Sequence, residues 1–346
     1  MNQRLFSQRN WIKKEEYTKS GVPPTAVIEY DAYSDARFTG QVDIPSWPYA
    51  FLNVLSSESG TVDTRMILRV EDYEYYADTS EIDWSKTHDD AYHGGWYDDE
   101  IVSLASLILG VRLVSGGPSR RWHEPVANSY GQPERFYMKP KPFYIIRGGG
   151  ILPDATGEHS MMRLEDFDSI RHIDPKRFVS LVRACSLYRN ALWMVEMDAN
   201  LAWLLFVSAL EAVATSYGSD SRSARMTFTE FVVQFRPDPP KERPSGDTLQ
   251  FEWTEENFSR MLKLVYDYRS RALHGGKPFP APMLDRPWPH SQGAPAEVPG
   301  PGLGMSMKGG SWRKKELPIN LHTFHYITRH SLLNWWDCEL SKYINS

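Results

Sequence analysis

From Asp174 onward the chain repeats apolar residues at three- and four-residue intervals, a spacing that admits little besides helices. Phe178, Leu181, Val182, Cys185, Tyr188, Leu192 and Val195 fall on one stripe of one helix. Asp174-Pro175 supplies its start. The carboxylate can accept the first free N–H groups, and the proline needs no N–H partner there. A second helix, about 200–215, is apolar nearly all round and should be central. A shorter one, Thr227 to Phe235, stops before Pro237-Asp238-Pro239-Pro240. Another begins near Thr254, with Glu255 and Glu256 suited to the positive end of its dipole. It presents Phe258, Met261, Leu262, Val265 and Tyr268 and ends at Gly275-Gly276. The last, about Leu321 to Tyr343, carries Leu321, Phe324, Leu332, Trp335, Trp336 and Leu340. Four long helices around one core make a bundle.

The first half reads differently. Short β-prone runs at Thr25–Tyr30, Thr64–Val70 and Phe143–Ile146 alternate with turn signals at Pro23-Pro24, Ser59-Gly60 and Gly148-Gly149-Gly150. One helix, Glu100 to Leu113, should stop at Gly116-Gly117. The expected fold class is α+β. A mixed α/β domain over residues 1–165 precedes an all-α bundle over 166–346, in which the Pro/Gly-rich stretch 277–304 is a mobile insertion. Two domains suit a length of 346 residues.

Bulk properties exclude some classes. A net charge of −5 does not fit a uniformly basic nucleic-acid binder, although a local basic groove remains compatible with it. The two cysteines, Cys185 and Cys338, lie in helix-like apolar segments, which suits a reducing cytoplasm and no disulfide framework. The N-terminal residues contain no apolar signal region. The longest apolar run, Leu201 to Ala214, is interrupted by Glu211 and is too short for a bilayer. A soluble protein with no membrane partner is expected.

Chemistry concentrates in Leu264-Val-Tyr-Asp-Tyr-Arg-Ser-Arg-Ala-Leu-His-Gly-Gly276. Arg269 and His274 are five positions apart, which places their side chains roughly 140° apart on a regular helix. They converge only if the helix loosens before the glycines. The residue types suit metal-free RNA cleavage, which needs a base for the 2′-OH, an acid for the 5′-oxygen and a cation for phosphorane charge. Histidine titrates near neutral pH and serves as acid or base. Arginine offers phosphate oxygens a planar, permanently charged fork. One chain supplies one such His, so a two-fold dimer bringing a second would complete an acid–base pair.

The string Tyr268-Arg269-Ser270-x-x-Leu273-His274-Gly275-Gly276 and the helix order resemble the HEPN superfamily, most closely its ApeA-like branch. Ala209-Leu210-Glu211-Ala212 and Ser223-x-x-Met226-Thr227-Phe228 add to the likeness, which covers about the last half of the chain. The resemblance implies a helical bundle, a homodimer that joins two motifs, and RNA cleavage leaving a cyclic phosphate. It also implies a role in phage defence; an infection-derived trigger or an antitoxin is a candidate partner, the trigger suggested by the two-domain split. Carried over by position, Arg269 is the phosphate-binding cation and His274 the acid/base. Tyr268 and Ser270 are supporting residues beside the Arg, Ser270 standing where other members often have Asn or Asp. Glu211 reads either as ordering Arg269 across the bundle or, more simply, as a buried ion-pair partner with no catalytic role. No cofactor is implied.

Other polar clusters have plainer readings. His88, Asp89, Asp90 and His93 match no metal-ligand spacing and read as a solvated acidic loop. His322, His325 and Arg329 share a helix face that could touch phosphate but reads first as an ordinary polar face. Arg183, Arg189, Arg120, Arg121 and His123 could add to an RNA track, with surface solubility as the default. Gly148-Gly149-Gly150 lacks the phosphate-loop pattern and reads as a turn. Two other functional readings stand beside the nuclease: a non-catalytic dimerisation or RNA/nucleotide-binding module, and an N-terminal half that senses a signal and restrains the bundle.

Overall fold

A computed structural model describes residues 4–54, 65–73, 85, 91–123, 130, 131, 133, 150–217, 223–286, 294–300 and 306–344. Within these the chain is α+β, combining long helices with a mainly antiparallel sheet. It divides into two compact units, Met1–Phe143 with Asp154–Arg189 and Glu339–Ser346, and Tyr144–Pro153 with Asn190–Cys338. The expected strand Phe143–Ile146 and the turn residues Gly148 and Gly149 lie outside the described residues.

The first unit is built on a sheet of five strands in the order β3-β4-β5-β1-β6. These are β1 (Ala26–Tyr33), β3 (Val42–Asp43), β4 (Tyr49–Asn53), β5 (Arg65–Asp72) and β6 (Val114–Trp122), each pair antiparallel. Strand β2 (Ala36–Thr39) pairs in parallel with β7 (Gly157–Ser160). Every residue of β1 is buried, so the strand is covered on both faces and its polar residues need partners. Glu29, 1 % exposed, faces Arg69 on β5 and Arg120 on β6. Arg69 Nε and Nη2 donate to Oε1 at 2.9 and 2.8 Å, and Arg120 Nε donates to Oε2 at 2.7 Å. Two guanidinium groups thus neutralise one buried carboxylate and tie three adjacent strands.

Helix α1 (Phe6–Ser20) has no counterpart in the apolar pattern, because its buried side is largely polar: Ser7, Gln8, Asn10 and Lys14 accompany Trp11. Most of these residues find partners within the unit, although Ser7 Oγ, Gln8 Oε1 and Trp11 Nε1 are buried without one. Gln8 Nε2 donates to the Ile170 and Ile173 carbonyls at 2.8 and 3.0 Å, Asn10 Nδ2 donates to Glu71 O at 2.9 Å, and Lys14 pairs with the Glu71 carboxylate. Helix α2 (Tyr97–Leu109) opens with Asp98, Asp99 and Glu100 and ends at Gly110 in the left-handed region, φ 75°. The stop expected at Gly116-Gly117 is therefore too late, since both glycines lie inside β6. Gly116 has a packing reason. A Cβ there would sit 2.2 Å from Cε2 of Tyr33. Gly116→Ala should cost about 1–3 kcal/mol through overpacking, read as a lower urea midpoint; an unchanged midpoint would show that the Tyr33 ring moves freely aside.

Helix α3 (Pro175–Met194) starts as its sequence indicates, with Asp174 Oδ1 accepting from the Lys176 and Arg177 N–H groups at 3.1 and 3.2 Å. Residues 175–189 belong to the first unit.

The second unit holds α4 (Ala199–Tyr217), α5 (Ala224–Gln234), α6 (Glu255–Gly275) and most of α7 (Leu321–Ile344). Trp203 of α4 stacks between Phe279 and Phe324, with ring centroids 5.0 and 4.6 Å away. Helix α4 is longer than the apolar run suggested, and by length and composition it could cross a membrane. Within this unit it is a core helix, burying Trp203, Phe206, Val207, Leu210 and Val213.

The Pro/Gly-rich stretch is folded where it is described, which overturns its reading as a mobile insertion. Phe279, Met283 and Ala296 are buried, and Trp203 Nε1 donates to Met283 O at 3.1 Å. Its chief anchor is Glu297, whose side chain is 4 % exposed. Arg243 clamps both carboxylate oxygens at 2.9 and 2.7 Å, while Phe251 N and Trp253 Nε1 donate at 2.6 and 3.2 Å. Apolar periodicity could not reveal this loop, because an ion pair and backbone hydrogen bonds hold it.

Candidate functional site

Helix α6 is set at both ends by local chemistry. Thr254 Oγ1 accepts from Asn257 N at 3.4 Å, and Gly276, φ 63°, caps the other end by donating to Arg271 O. The helix stays regular through Gly275, so the loosening before the glycines does not occur. Regular geometry keeps Arg269 and His274 roughly 140° apart and about 7.5 Å apart along the axis. The two side chains occupy different settings. Arg269 is part-buried, 20 % exposed, and faces α4. His274 is exposed and, among the described residues, makes no hydrogen bond or ion pair.

Arg269 Nη2 donates to Glu211 Oε2 at 2.7 Å, across from the middle of the apolar helix α4. Its Nε is buried without a partner. The guanidinium lies over the ring of Tyr266, Cζ 5.5 Å from the centroid, a cation–π distance. Tyr266 has its phenol raised above the usual tyrosine range, first by burial and then by the nearby Glu211 carboxylate. Tyr266, Glu211 and Arg269 therefore form one linked polar group. Tyr266 was missed from the sequence; its one-turn offset from Arg269 was the available signal, but the meeting with Glu211 is long-range.

The supporting residues divide. Tyr268 is buried, packs near Phe279, donates its OH to Glu316 O at 2.7 Å and carries Arg271 over its ring. These contacts turn it toward the core. Ser270 is partly exposed. Arg225 pairs with Asp267 at 3.0 Å, linking α5 to the same stretch of α6. Glu211→Gln should leave Arg269 without its counter-charge at low cost to the fold, about 1 kcal/mol. A double-mutant cycle with Arg269→Gln should show coupling, and strict additivity would contradict a working ion pair.

The other clusters lie elsewhere. His93 Nε2 is 3.0 Å from the buried carboxylate of Glu100, so this histidine is not part of a solvated loop; His88, Asp89 and Asp90 are outside the described residues. No group of three or more His, Cys, Asp or Glu suited to a metal occurs among the described residues. Three basic residues of the suggested track have partners within the chain: Arg183 donates to Tyr92 O, Arg189 pairs with Asp99, and Arg120 with Glu29. On α7, His325 and Arg329 are buried, so this face is not an open phosphate contact.

His322 is held neutral. Burial, stronger than the opposing pull of Glu297, lowers its pKa from 6.5 to about 4. The unfolded chain protonates this ring near pH 6.5 and the folded chain resists doing so. Stability is thus full above pH 6.5 and falls as the pH drops toward about 4. The loss from this group amounts to about 3 kcal/mol, and His322→Asn should flatten that part of the urea-midpoint profile.

No family model, curated protein or solved structure matches the chain.

Proposed function

We propose that the chain is a metal-independent RNA endonuclease of the HEPN class, acting as a homodimer in phage defence or as a toxin. The observation that carries this reading is the placement of the R-x4-H motif. A guanidinium held by Glu211 and Tyr266 lies one and a half turns from an exposed imidazole at the same helix end. In this reading α4, α5, α6 and the part of α7 in the second unit belong to the HEPN bundle, and α6 lies at the dimer axis. Arg269 and His274 diverge on one helix, so this reading requires a second copy to bring a guanidinium and an imidazole together. Each imidazole supplies acid or base, and each guanidinium stabilises phosphorane charge. The direct test expresses the full chain and its Arg269→Ala and His274→Ala variants and follows growth and RNA integrity. Toxicity and RNA loss confined to the unaltered chain support the proposal, and equal behaviour of all three defeats it.

One observation favours a second reading, a non-catalytic dimerisation or RNA-binding module. Glu211 already neutralises the cation that should meet phosphate. RNA binding by the full chain without cleavage, unchanged in His274→Ala, would select it.

A further inference from the structure

The first unit carries an open cleft of about 680 Å³, within the size range of small-molecule sites. Its lining includes Arg4 ahead of α1, Arg171 at the end of a 3-10 segment (Met161–His172), Arg177 in the first turn of α3 and Lys342 in the last turn of α7. Three carboxylates also reach it, and each is engaged. Glu15 pairs with Arg171. Glu339 takes Arg177 and Lys342 together. Asp174 caps α3. Arg4 has no carboxylate partner among the described residues, and its Nη1 is buried without an acceptor. His172 adds no negative charge; its Nε2 accepts from Arg171 Nε at 3.0 Å. The cleft lining therefore holds four permanent cations against three carboxylates, and Asp168, outside the lining, also pairs with Arg171 at 3.3 Å.

The remaining lining sets the ligand class. Ile12, Ile173 and Pro175 give the cleft an apolar part beside the cations. Guanidinium groups match phosphate oxygens in plane and charge, and several cations from separate elements suit more than one phosphate group. A bare phosphate would leave most of the volume unfilled. We propose that this cleft binds a pyrophosphate-bearing small molecule of nucleotide size, Arg4 and Lys342 holding its phosphates and the apolar residues its uncharged part.

None of its lining residues lies on α6, and the proposal does not depend on the nuclease reading. Calorimetric titration of the full chain with ATP and, separately, with pyrophosphate tests it. Saturable one-to-one binding of both probes is expected, tighter for ATP because it also covers the apolar part. Arg4→Ala and Lys342→Ala should each weaken ATP binding about tenfold, equal to about 1.4 kcal/mol. Lys342 is exposed, so its variant keeps the test decisive if Arg4→Ala does not fold. Absence of saturable binding by either probe, or ATP affinity unchanged in the folded variants, overturns the proposal. His274→Ala should bind ATP as the unaltered chain does.

Discussion

Replacing His274 by alanine is expected to lower RNA cleavage by about 10²–10⁴-fold, the range contributed by a positioned acid or base. The expected effect on the fold is small, within about 0.5 kcal/mol, because the side chain is exposed. Activity and stability should therefore separate cleanly at this position. Arg269→Ala should also remove activity, by about 10²–10³-fold for loss of one charge-stabilising group. It differs in also leaving the part-buried Glu211 and Tyr266 without their cation. Arg269→Lys keeps the charge but not the fork, so it should recover stability more fully than cleavage. Rates on a defined RNA, paired with urea denaturation of each variant, check these expectations. A His274→Ala protein that cleaves at the parent rate removes His274 from the chemistry.

The largest expected stability effect lies outside the motif. Glu297→Ala should destabilise the second unit by about 3–5 kcal/mol, the cost of breaking a buried pair on one side. The carboxylate receives two bonds from Arg243 and one each from Phe251 N and Trp253 Nε1, so its removal orphans three separate groups. The Glu297 backbone adds to the anchor, its carbonyl accepting from Asn320 N at 2.9 Å and Thr323 Oγ1 at 3.1 Å. Those bonds survive the substitution, so the loop should loosen rather than detach. Glu297→Gln keeps the shape but loses the charge and should fall between the two. Urea midpoints for both variants, with Arg243→Ala, read the effect. A loss below about 1 kcal/mol for Glu297→Ala would mean that the pair only offsets its own desolvation.

Sequence was most informative where apolar periodicity and end chemistry agreed. Helix α6 illustrates this: Thr254 and Gly276 bound it as their chemistry requires, and Phe258, Met261, Leu262, Val265 and Tyr268 are all buried. Helix α3 follows the same logic from Asp174. Where burial is polar, that signal disappears. Helix α1 buries Gln8 and Asn10 against backbone groups distant in sequence, and the 294–299 loop is fixed through Glu297. Neither leaves a hydrophobic period. Helix α2 shows a different confusion, because Gly110 and the Gly116-Gly117 pair are equally good stops on paper; the Tyr33 ring explains Gly116, and a φ of 85° explains Gly117. At the candidate site, residue types and spacing were legible, whereas Tyr266 joining Glu211 and Arg269 depends on how two helices pack.

Metal-free cleavage of a ribose–phosphate link marks the ends of the cut RNA, which are the most direct readout. A short RNA is incubated with the full chain in EDTA, and its products are resolved by mass. Fragments ending in a 2′,3′-cyclic phosphate, formed without metal and lost in His274→Ala, are expected. Fragments with a 3′-hydroxyl, or cyclic ends that persist in the His274→Ala protein, would contradict this chemistry.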